Sequence, residues 1–284
     1  MKIYKFAISV LVSVFIVVGI LSAYGYWYTL KPRIVQREIY LNDLPREFDG
    51  TKVVFMSDIH LGPWRDQSWL RDMVDEINGL KPDMVMLGGD YVEQGSQYVE
   101  PAFEELARLQ TAEGVYGVMG NHDYLRGPQI TPQAMRKAGI QYMDNRGVWI
   151  ERGDAKLRIA GVGDMYYGQQ LYGQALGDSK PEDAVILLSH QPDYFMELPD
   201  GRVDLMLAGH LHGGQVTVFG LWAPIFPSRY GQRFLSGWAE SSTTKMLISN
   251  GVGTFRLPIR LFAEPHIEAI ILRSGQEQST KPTT

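Results

Sequence analysis

Side chains of metal-binding type stand where several apolar, β-branched runs of this sequence end. The residues concerned are Asp58, His60, Asp90, Asn121, His122, His190, His210 and His212. Carboxylate, imidazole and amide oxygen, without thiolate, are typical ligands of divalent cations such as Mn²⁺, Fe²⁺, Zn²⁺ and Co²⁺. About seven such ligands are too many for one ion. The pattern therefore predicts a site for two divalent metal ions.

The spacing of these residues predicts that they meet at one edge of a sheet. Asp58 and Asp90 are 32 residues apart, and Asp90 and Asn121 are 31 apart. One strand–helix–strand unit takes about 30 residues, so all three would follow parallel strands at their carboxyl ends. Side chains alternate along an extended chain, so Asp58 and His60 are expected to point the same way.

Each of these residues alone has an ordinary structural interpretation. An aspartate after a strand is commonly a helix N-cap or a turn residue, and Gly120-Asn121 could form only a turn. A structural interpretation would have to place two carboxylates, an amide and several imidazoles at one sheet edge by coincidence. The metal site is therefore favoured, whereas His266, which lies outside every motif, is expected to be structural.

The hydrophobic pattern supplies the elements that would carry these side chains. Strands are predicted at residues 52–57, 83–87, 114–119, 156–162, 184–189, 203–208, 215–219, 246–249 and 267–272, and helices at 66–78, 99–109 and 131–138. The alternation of strands and helices predicts an α/β fold with a mostly parallel sheet covered by helices. Core packing is the expected place for Trp64, Trp222 and Trp238, and contact with an apolar substrate is the alternative.

The first 30 residues are predicted to be a transmembrane anchor. No charged side chain occurs over the 24 positions from Ala7 to Leu30, and a helix of that length spans about 36 Å, enough to cross a bilayer. A signal peptide cleaved near Ala23-Tyr24-Gly25 is the alternative, but the apolar run continues past that site. Basic residues flank the run on both sides, so the charge rule leaves the orientation open. Residues 31–50 are expected to be a linker.

Composition restricts the remaining classes of function. The 284 residues are 45% hydrophobic and 21% charged, which is ordinary for a globular chain and argues against a coiled coil or a disordered chain. There are no cysteines, so disulfides, thiolate metal sites and cysteine nucleophiles are excluded. The formal charge of −5 disfavours nucleic acid as a partner. The polar residues 274–284 are expected to form a disordered tail.

Five short blocks stand in a fixed order along the chain. They are Asp58-x-His60, Gly89-Asp90, Gly120-Asn121-His122-Asp123, His190 and Gly209-His210-x-His212. This set resembles the calcineurin-like metallophosphoesterase superfamily, and the longer strings around it resemble the membrane-associated or exported bacterial branch of YkuE- and YaeI-type phosphodiesterases. The resemblance implies a four-layer α/β/β/α sandwich of two mixed sheets flanked by helices, over residues 51–273. It also implies a single-pass protein of the bacterial plasma (inner) membrane, with the side of the catalytic domain open.

By that resemblance, two metal ions share the carboxylate of Asp90. The first ion would be bound by Asp58, His60, Asp90 and His212, and the second by Asp90, Asn121, His190 and His210. Mn, Fe and Zn all fit such ligands. A hydroxide bridging the ions would attack phosphorus, and His122 would stabilise or protonate the leaving oxygen. Many relatives have Asp where this chain has Glu93, so whether Glu93 orients His122 stays open, and Asp123 is expected to cap a turn.

The activity implied is that of a dinuclear metal-dependent phosphoesterase, more specifically a phosphodiesterase, acting at a membrane surface on a phosphodiester or lipid-linked phosphate. Arg229, Arg256 and Arg260 lie in basic, aromatic loops and are candidates for binding phosphate, with ordinary surface arginines as the alternative. Two other functions stay open. One is a lipid pyrophosphatase of the UDP-2,3-diacylglucosamine type, and the other is a catalytically silent, metal-stabilised binding module.

Overall fold

The computed structural model describes residues 2–276, which form one long N-terminal helix and a two-sheet α/β body. The helices are α1 (Lys2–Trp27), α2 (Gln67–Gly79), α3 (Val99–Leu106), α4 (Asn121–Arg126), α5 (Ile130–Lys137) and α6 (Tyr172–Leu176). The strands are β1 (Arg33–Leu41), β2 (Lys52–Met56), β3 (Met84–Leu87), β4 (Val115–Gly117), β5 (Ile140–Tyr142), β6 (Arg146–Arg152), β7 (Ala155–Gly161), β8 (Val185–Leu188), β9 (Leu205–Ala208), β10 (Gly237–Glu240), β11 (Lys245–Ile248) and β12 (His266–Ser274).

Two six-stranded mixed sheets form the middle of the body. The first has the order β1-β12-β2-β3-β4-β5, and the second has the order β10-β11-β9-β8-β7-β6. Strands β2 to β5 are parallel, as are β7, β8, β9 and β11. The carboxyl ends of these parallel strands are the edges at which α/β sites form.

Alternate side chains of the central strands enter two different cores. In β2, Val53 and Phe55 pack between the two sheets, whereas Val54 and Met56 pack under α2 and α3. A third apolar cluster covers the other face of the second sheet and includes residues of α6. Because both faces of the central strands are buried, their sequences read as continuous apolar runs. The predicted four-layer sandwich of two mixed sheets flanked by helices is confirmed.

Most predicted elements form within a few residues of their expected bounds, but the strand predicted at 215–219 does not. Gln215 and Phe219 adopt left-handed backbone, with φ of 54° and 55°. Those two conformations interrupt an extended chain, so this segment makes only isolated bridges, from Val216 to Leu261 and from Val218 to Trp222. It is a loop beside the carboxyl end of β9.

The segment expected to be a linker contains strand β1 instead. All nine residues of β1 pair in parallel with β12, from Arg33 opposite His266 to Leu41 opposite Ser274. The buried carboxylate of Glu268 on β12 accepts a 2.7 Å hydrogen bond from Arg37 Nε on β1. β12 also extends one residue into the predicted tail, and most of that tail, residues 277–284, lies outside the described residues.

Helix α1 is long and apolar enough to cross a membrane. Its candidate span, Tyr4–Trp27, has a mean hydropathy of 2.7 and is not buried against the body. Among the helix residues whose burial is described, those at its C-terminal end reach the body, where the Gly25 carbonyl accepts a hydrogen bond from Arg260 N at 3.1 Å. Thr29, just beyond the helix, is fully buried.

Candidate metal centre

Three groups of metal-ligand side chains meet where the carboxyl ends of the two sheets face each other. The groups are Asp58 with His60 and His212, Asp90 with His190 and His210, and His60 with Glu93 and His122. Within each group, one candidate ligand atom per residue lies within 4.8 Å of the others. All of these side chains are buried. The residues predicted from strand ends of different sheets are therefore brought together.

Asp90 lies between the first two groups. Its Oδ2 is 3.5 Å from His60 Nε2 and 3.3 Å from His190 Nε2. His60 Nε2 is 3.0 Å from His212 Nε2, and His190 Nε2 is 3.2 Å from His210 Nδ1. One carboxylate thus adjoins two sets of imidazoles that face each other across it.

The backbone at these strand ends is left-handed rather than extended. Asp58, His60, Asp90, His210 and His212 have φ between 48° and 71°. Such a conformation costs a non-glycine residue about 1–3 kcal/mol, and residues that adopt it cluster at active sites and ligand-binding sites. The sequence predicts that Asp58 and His60 point the same way because side chains alternate along a strand. That reason is wrong, since β2 ends at Met56 and both residues have positive φ.

Glycines let the turns approach each other closely. Gly89 has φ of 92°, and a β-carbon there would collide with the Gly120 backbone. A β-carbon at Gly209 would collide with the side chains of Ser57 and Asp58. The Gly89 turn before Asp90 and the Gly209 turn before His210 therefore need residues without a side chain.

The carboxylate of Asp123 holds two of these turns together. Its Oδ2 accepts hydrogen bonds from Asp90 N at 2.8 Å and Gly120 N at 2.9 Å, and its Oδ1 accepts one from Tyr91 N at 3.0 Å. Asp90 Oδ1 in turn accepts a 2.8 Å bond from His122 N. The prediction that Asp123 caps a turn is confirmed, and the turn it caps is the one that carries Asn121 and His122.

Replacing Asp123 with Ala is expected to destabilise the protein by roughly 3 kcal/mol or more, because three buried N–H groups lose their acceptor. In a chain of this size that corresponds to a fall in Tm of roughly 6–12 °C. Thermal unfolding of the full chain in detergent would measure it. Asp154→Ala, in an exposed hairpin turn, is the matched control and should leave Tm unchanged. Equal Tm values for both variants would contradict the role given to Asp123.

Burial and neighbouring charges shift the pKa values of the imidazoles in opposite directions. Burial would lower the pKa of His60, but Glu93 and Asp90 outweigh it and raise that pKa. Burial alone would raise the pKa of Asp90, but the neighbouring histidines, His190 foremost, hold it well below its usual range. Burial would lower the pKa of His190, but Asp90 and Asp58 outweigh it and raise that pKa to about 10. Burial and the charge on His190 lower the pKa of His210 to about 3, and burial lowers the pKa of His212 well below its usual value. Neutral imidazoles keep the lone pairs that bind a cation.

Four buried polar atoms of these residues have no hydrogen-bond partner among the described residues: Asn121 Oδ1, His210 Nε2, and the pair His60 Nδ1 and Glu93 Oε2, which lie 2.8 Å apart. Leaving a buried polar atom unpaired costs about 1–3 kcal/mol, and a cation would satisfy Asn121 Oδ1. His210 presents its other nitrogen, Nδ1, to His190 Nε2, 3.2 Å away. The donor set of imidazoles, carboxylates and one amide oxygen also suits borderline divalent ions. The residues present therefore fit a pair of divalent metal ions.

His122 lies at the edge of the cluster, beside Glu93. The carbonyl oxygen of Glu93 is 3.2 Å from His122 Nδ1, so Nδ1–H can donate to it. The Glu93 carboxylate lies closer to His60, at 2.8 Å from its Nδ1, than to His122, at 3.6 Å. Burial lowers the pKa of His122. Glu93 therefore contacts His122 mainly through its backbone, and its longer side chain reaches His60.

The three candidate arginines have different surroundings. Arg229 and Arg256 are exposed, and the Arg256 guanidinium lies 4.8 Å from the centre of the Phe255 ring. Arg260, in contrast, is fully buried. Its guanidinium donates to the carbonyl oxygens of His212, Asn250, Gly251, Gly253 and Ala263. Arg260 is therefore wrong as a phosphate-binding candidate, because its N–H groups already fix the loops behind the site.

Two aromatic rings lie at the site, Phe255 in one of the predicted basic, aromatic loops and Tyr166 outside every sequence motif. The Phe255 ring centre lies 5.3 Å from that of His122, and the Tyr166 ring centre lies 5.6 Å from that of His210. Tyr166 follows the parallel strand β7, and this position after a strand is the sequence feature that could have indicated its place at the site. His266, predicted to be structural, lies outside the three groups and is 3.1 Å from Glu268.

A buried cluster of this composition, at the facing edges of two mixed sheets, defines a metal-dependent hydrolase. The family model for calcineurin-like phosphoesterases matches residues 51–214. The match covers more than half of the chain, so the protein belongs to the calcineurin-like phosphoesterase family, which consists of metal-dependent hydrolases of phosphoric esters.

Curated relatives agree with the family over most of the chain. The uncharacterized metallophosphoesterase YkuE of Bacillus subtilis is 30% identical, with 89% of this chain and 91% of the relative covered. Phosphodiesterase YaeI of Escherichia coli is 27% identical, with 88% and 93% covered. A transmembrane protein with metallophosphoesterase domain from Danio rerio is 29% identical over 92% of this chain, which spans only 62% of that relative.

Proposed function

We propose that this protein is a dinuclear phosphodiesterase held at a membrane by α1. The observation that carries the proposal is the position of the Asp90 carboxylate between two buried groups of imidazoles, 3.5 Å from His60 and 3.3 Å from His190. One carboxylate shared between two ligand sets is the arrangement that a two-metal site requires.

Each ion would take its ligands from both sheets. Asp58, His60, Asp90 and His212 would hold one ion, and Asp90, Asn121, His190 and His210 would hold the other. The unpartnered Asn121 Oδ1 supports this division, and so does His210 Nδ1, which lies 3.2 Å from His190 Nε2. When bound, the two cations would supply the positive charge that activates a water molecule and stabilises the phosphate oxygens during displacement.

His122 would supply the proton that the leaving oxygen needs. Its Nδ1–H donates to the Glu93 carbonyl, which fixes the ring and leaves Nε2 to carry the transferable proton when the imidazole is charged. The carboxylate of Glu93 would orient His60 through Nδ1, 2.8 Å away, because a ligand imidazole is normally held by an acceptor on its second nitrogen. The exposed side chain of Arg256, next to Phe255, would bind a phosphate oxygen or the leaving group.

Diester hydrolysis is favoured by the relative named phosphodiesterase YaeI. Full-length protein in detergent would be stripped with a chelator and assayed on bis-p-nitrophenyl phosphate and p-nitrophenyl phosphate. We expect no turnover without metal, recovery with Mn²⁺, Fe²⁺ or Zn²⁺, and faster cleavage of the diester. Full activity with no bound metal would contradict the proposal. Two bound metals with no hydrolysis of any diester would instead favour a silent binding module.

Anchoring by an uncleaved α1 is supported by the contacts at its end. The Gly25 carbonyl bonds to Arg260 N, and Thr29 is buried, so the residues around the possible cleavage site take part in packing. The Danio rerio relative is named a transmembrane protein. Mass spectrometry of the protein isolated from membranes should find the intact N-terminus, and a mature chain beginning near Gly25 would contradict the anchor.

A further inference from the structure

An exposed apolar surface borders the metal centre. It is formed by two loops, residues 215–226 and 254–262, which we call the apolar surface. Its large members, each between 50% and 84% exposed, are Val218, Phe219, Leu221, Trp222, Ile225, Leu257 and Phe262. Contiguous exposed apolar groups of this kind mark an interaction site in a stable protein. The expectation that Trp64, Trp222 and Trp238 pack in the core is wrong, since they are 51%, 53% and 41% exposed, and the Trp222 ring lies on this surface.

The two loops form one unit. Thr217 N donates to Leu261 O at 3.0 Å, and the Phe219 and Phe262 rings lie 5.5 Å apart. The side chain of Gln215 joins the loops again, since it accepts from Phe255 N at 2.7 Å and donates to Phe255 O at 2.9 Å. The two loops are therefore held together by backbone and side-chain hydrogen bonds within the protein.

The apolar surface continues directly from the end of α1. Arg260 N donates to Gly25 O at 3.1 Å. A β-carbon at position 25 would lie 3.3 Å from side-chain atoms of both Ile259 and Leu261, so the helix packs closely on the second loop. Tyr24 and Trp27 are exposed at the same end of α1, where aromatic rings usually mark the headgroup level of a bilayer.

The same loops reach the metal centre. Gln215 follows the metal-ligand candidate His212 by three residues, and Arg256 N donates to Glu93 Oε1 at 3.1 Å. The Phe255 ring lies 5.3 Å from the ring of His122. The apolar surface therefore adjoins both the membrane helix and the mouth of the site.

We propose that the apolar surface inserts into the same bilayer that α1 crosses, so that the metal centre opens at the headgroup level. The inference rests on the membrane anchoring in the proposed function but not on the phosphodiesterase chemistry. A lipid bilayer is the occupant because the surface is continuous with a membrane helix. Exposed Leu, Ile and Phe with Trp at the border are the residues that enter the boundary between headgroups and acyl chains.

The absence of cysteine from the chain permits a direct test with single-cysteine variants labelled by an environment-sensitive nitrobenzoxadiazole dye. Leu221→Cys and Ile225→Cys probe the surface, because both side chains are more than 80% exposed and their loss should not impair folding. Phe15→Cys, in α1, is the positive control. Asp154→Cys, before the amino end of β7 and so at the opposite edge of the sheet, is the negative control. Each full-length variant would be placed in phospholipid nanodiscs containing nitroxide lipids.

We expect the dyes at positions 221 and 225 to emit at shorter wavelength than the dye at 154 and to be quenched by nitroxides near the headgroup. The dye at position 15 should be quenched by nitroxides deep in the acyl chains. If the dyes at 221 and 225 behave like the one at 154 while position 15 is quenched, the inserted surface is overturned and the anchor stands. If position 15 is also unquenched, both the surface and the anchor are overturned. These emission and quenching measurements do not depend on diesterase activity, so an inactive protein would still test the insertion of the apolar surface.

Discussion

Asp90→Asn is expected to lower diester hydrolysis by roughly 10³–10⁵-fold, the scale of losing a residue on which a whole catalytic unit depends. The change removes the negative charge that lies between the imidazoles of His60 and His190 while keeping the size and shape of the side chain. An amide cannot take the place of a carboxylate shared by two cations, since it offers one oxygen and no charge. The content of bound metal should therefore fall below two ions per chain together with the rate.

The control for this variant is Asp204→Asn. Asp204 is a half-buried carboxylate that accepts a 2.8 Å hydrogen bond from Val185 N, at the amino ends of β8 and β9 and thus away from the metal centre. Rates on bis-p-nitrophenyl phosphate and metal content by plasma mass spectrometry would be measured for both variants. Wild-type turnover by Asp90→Asn with two bound ions would refute the proposal that two metal ions share the Asp90 carboxylate.

His122→Asn is expected to lower kcat by roughly 10²–10⁴-fold, the usual contribution of a general acid, while both metals stay bound. Asparagine cannot deliver a proton, but the variant leaves all the candidate metal ligands around Asp90 unchanged. The loss should grow as the leaving group becomes more basic, because a poor leaving group depends more on protonation. A series of aryl diesters with leaving groups of increasing pKa would measure that dependence.

His266→Asn is the matched control for His122, because His266 is also a buried histidine but lies outside the three ligand groups. It should keep wild-type kcat and the wild-type dependence on the leaving group. A His122→Asn enzyme that loses activity equally on every diester would point to a role in binding or folding and not in proton transfer.

The meeting of the candidate metal ligands could be predicted because strand spacing is a property of the local sequence. Runs such as Val53–Met56 are buried on both faces, so the polar residues that follow them must lie at the sheet edge. The left-handed backbone at Asp58 and Asp90 could not be predicted, since it occurs where loops from distant parts of the sequence approach each other closely at Gly89 and Gly209.

The errors concern segments whose structure depends on distant residues. β1 carries charged side chains at a sheet edge, and its partner β12 is more than 200 residues away in the sequence. Arg256 and Arg260 both have apolar neighbours in the sequence, yet Arg260 is buried among carbonyl oxygens and Arg256 is exposed. A single sequence does not distinguish these cases, because burial of an arginine is decided by which loops fold over it.

The pairing of β1 with β12 also fixes how far the active site can move once α1 lies in a bilayer. A flexible linker of 20 residues would let the domain move by roughly 25 Å from the end of the membrane helix. Here the chain enters the sheet at Arg33, six residues after α1 ends at Trp27. The distance between the bilayer and the active site would therefore be nearly constant. Under the proposed anchoring, the search for a membrane-borne substrate would be two-dimensional, and lateral diffusion in the membrane plane would bring such a substrate to the site.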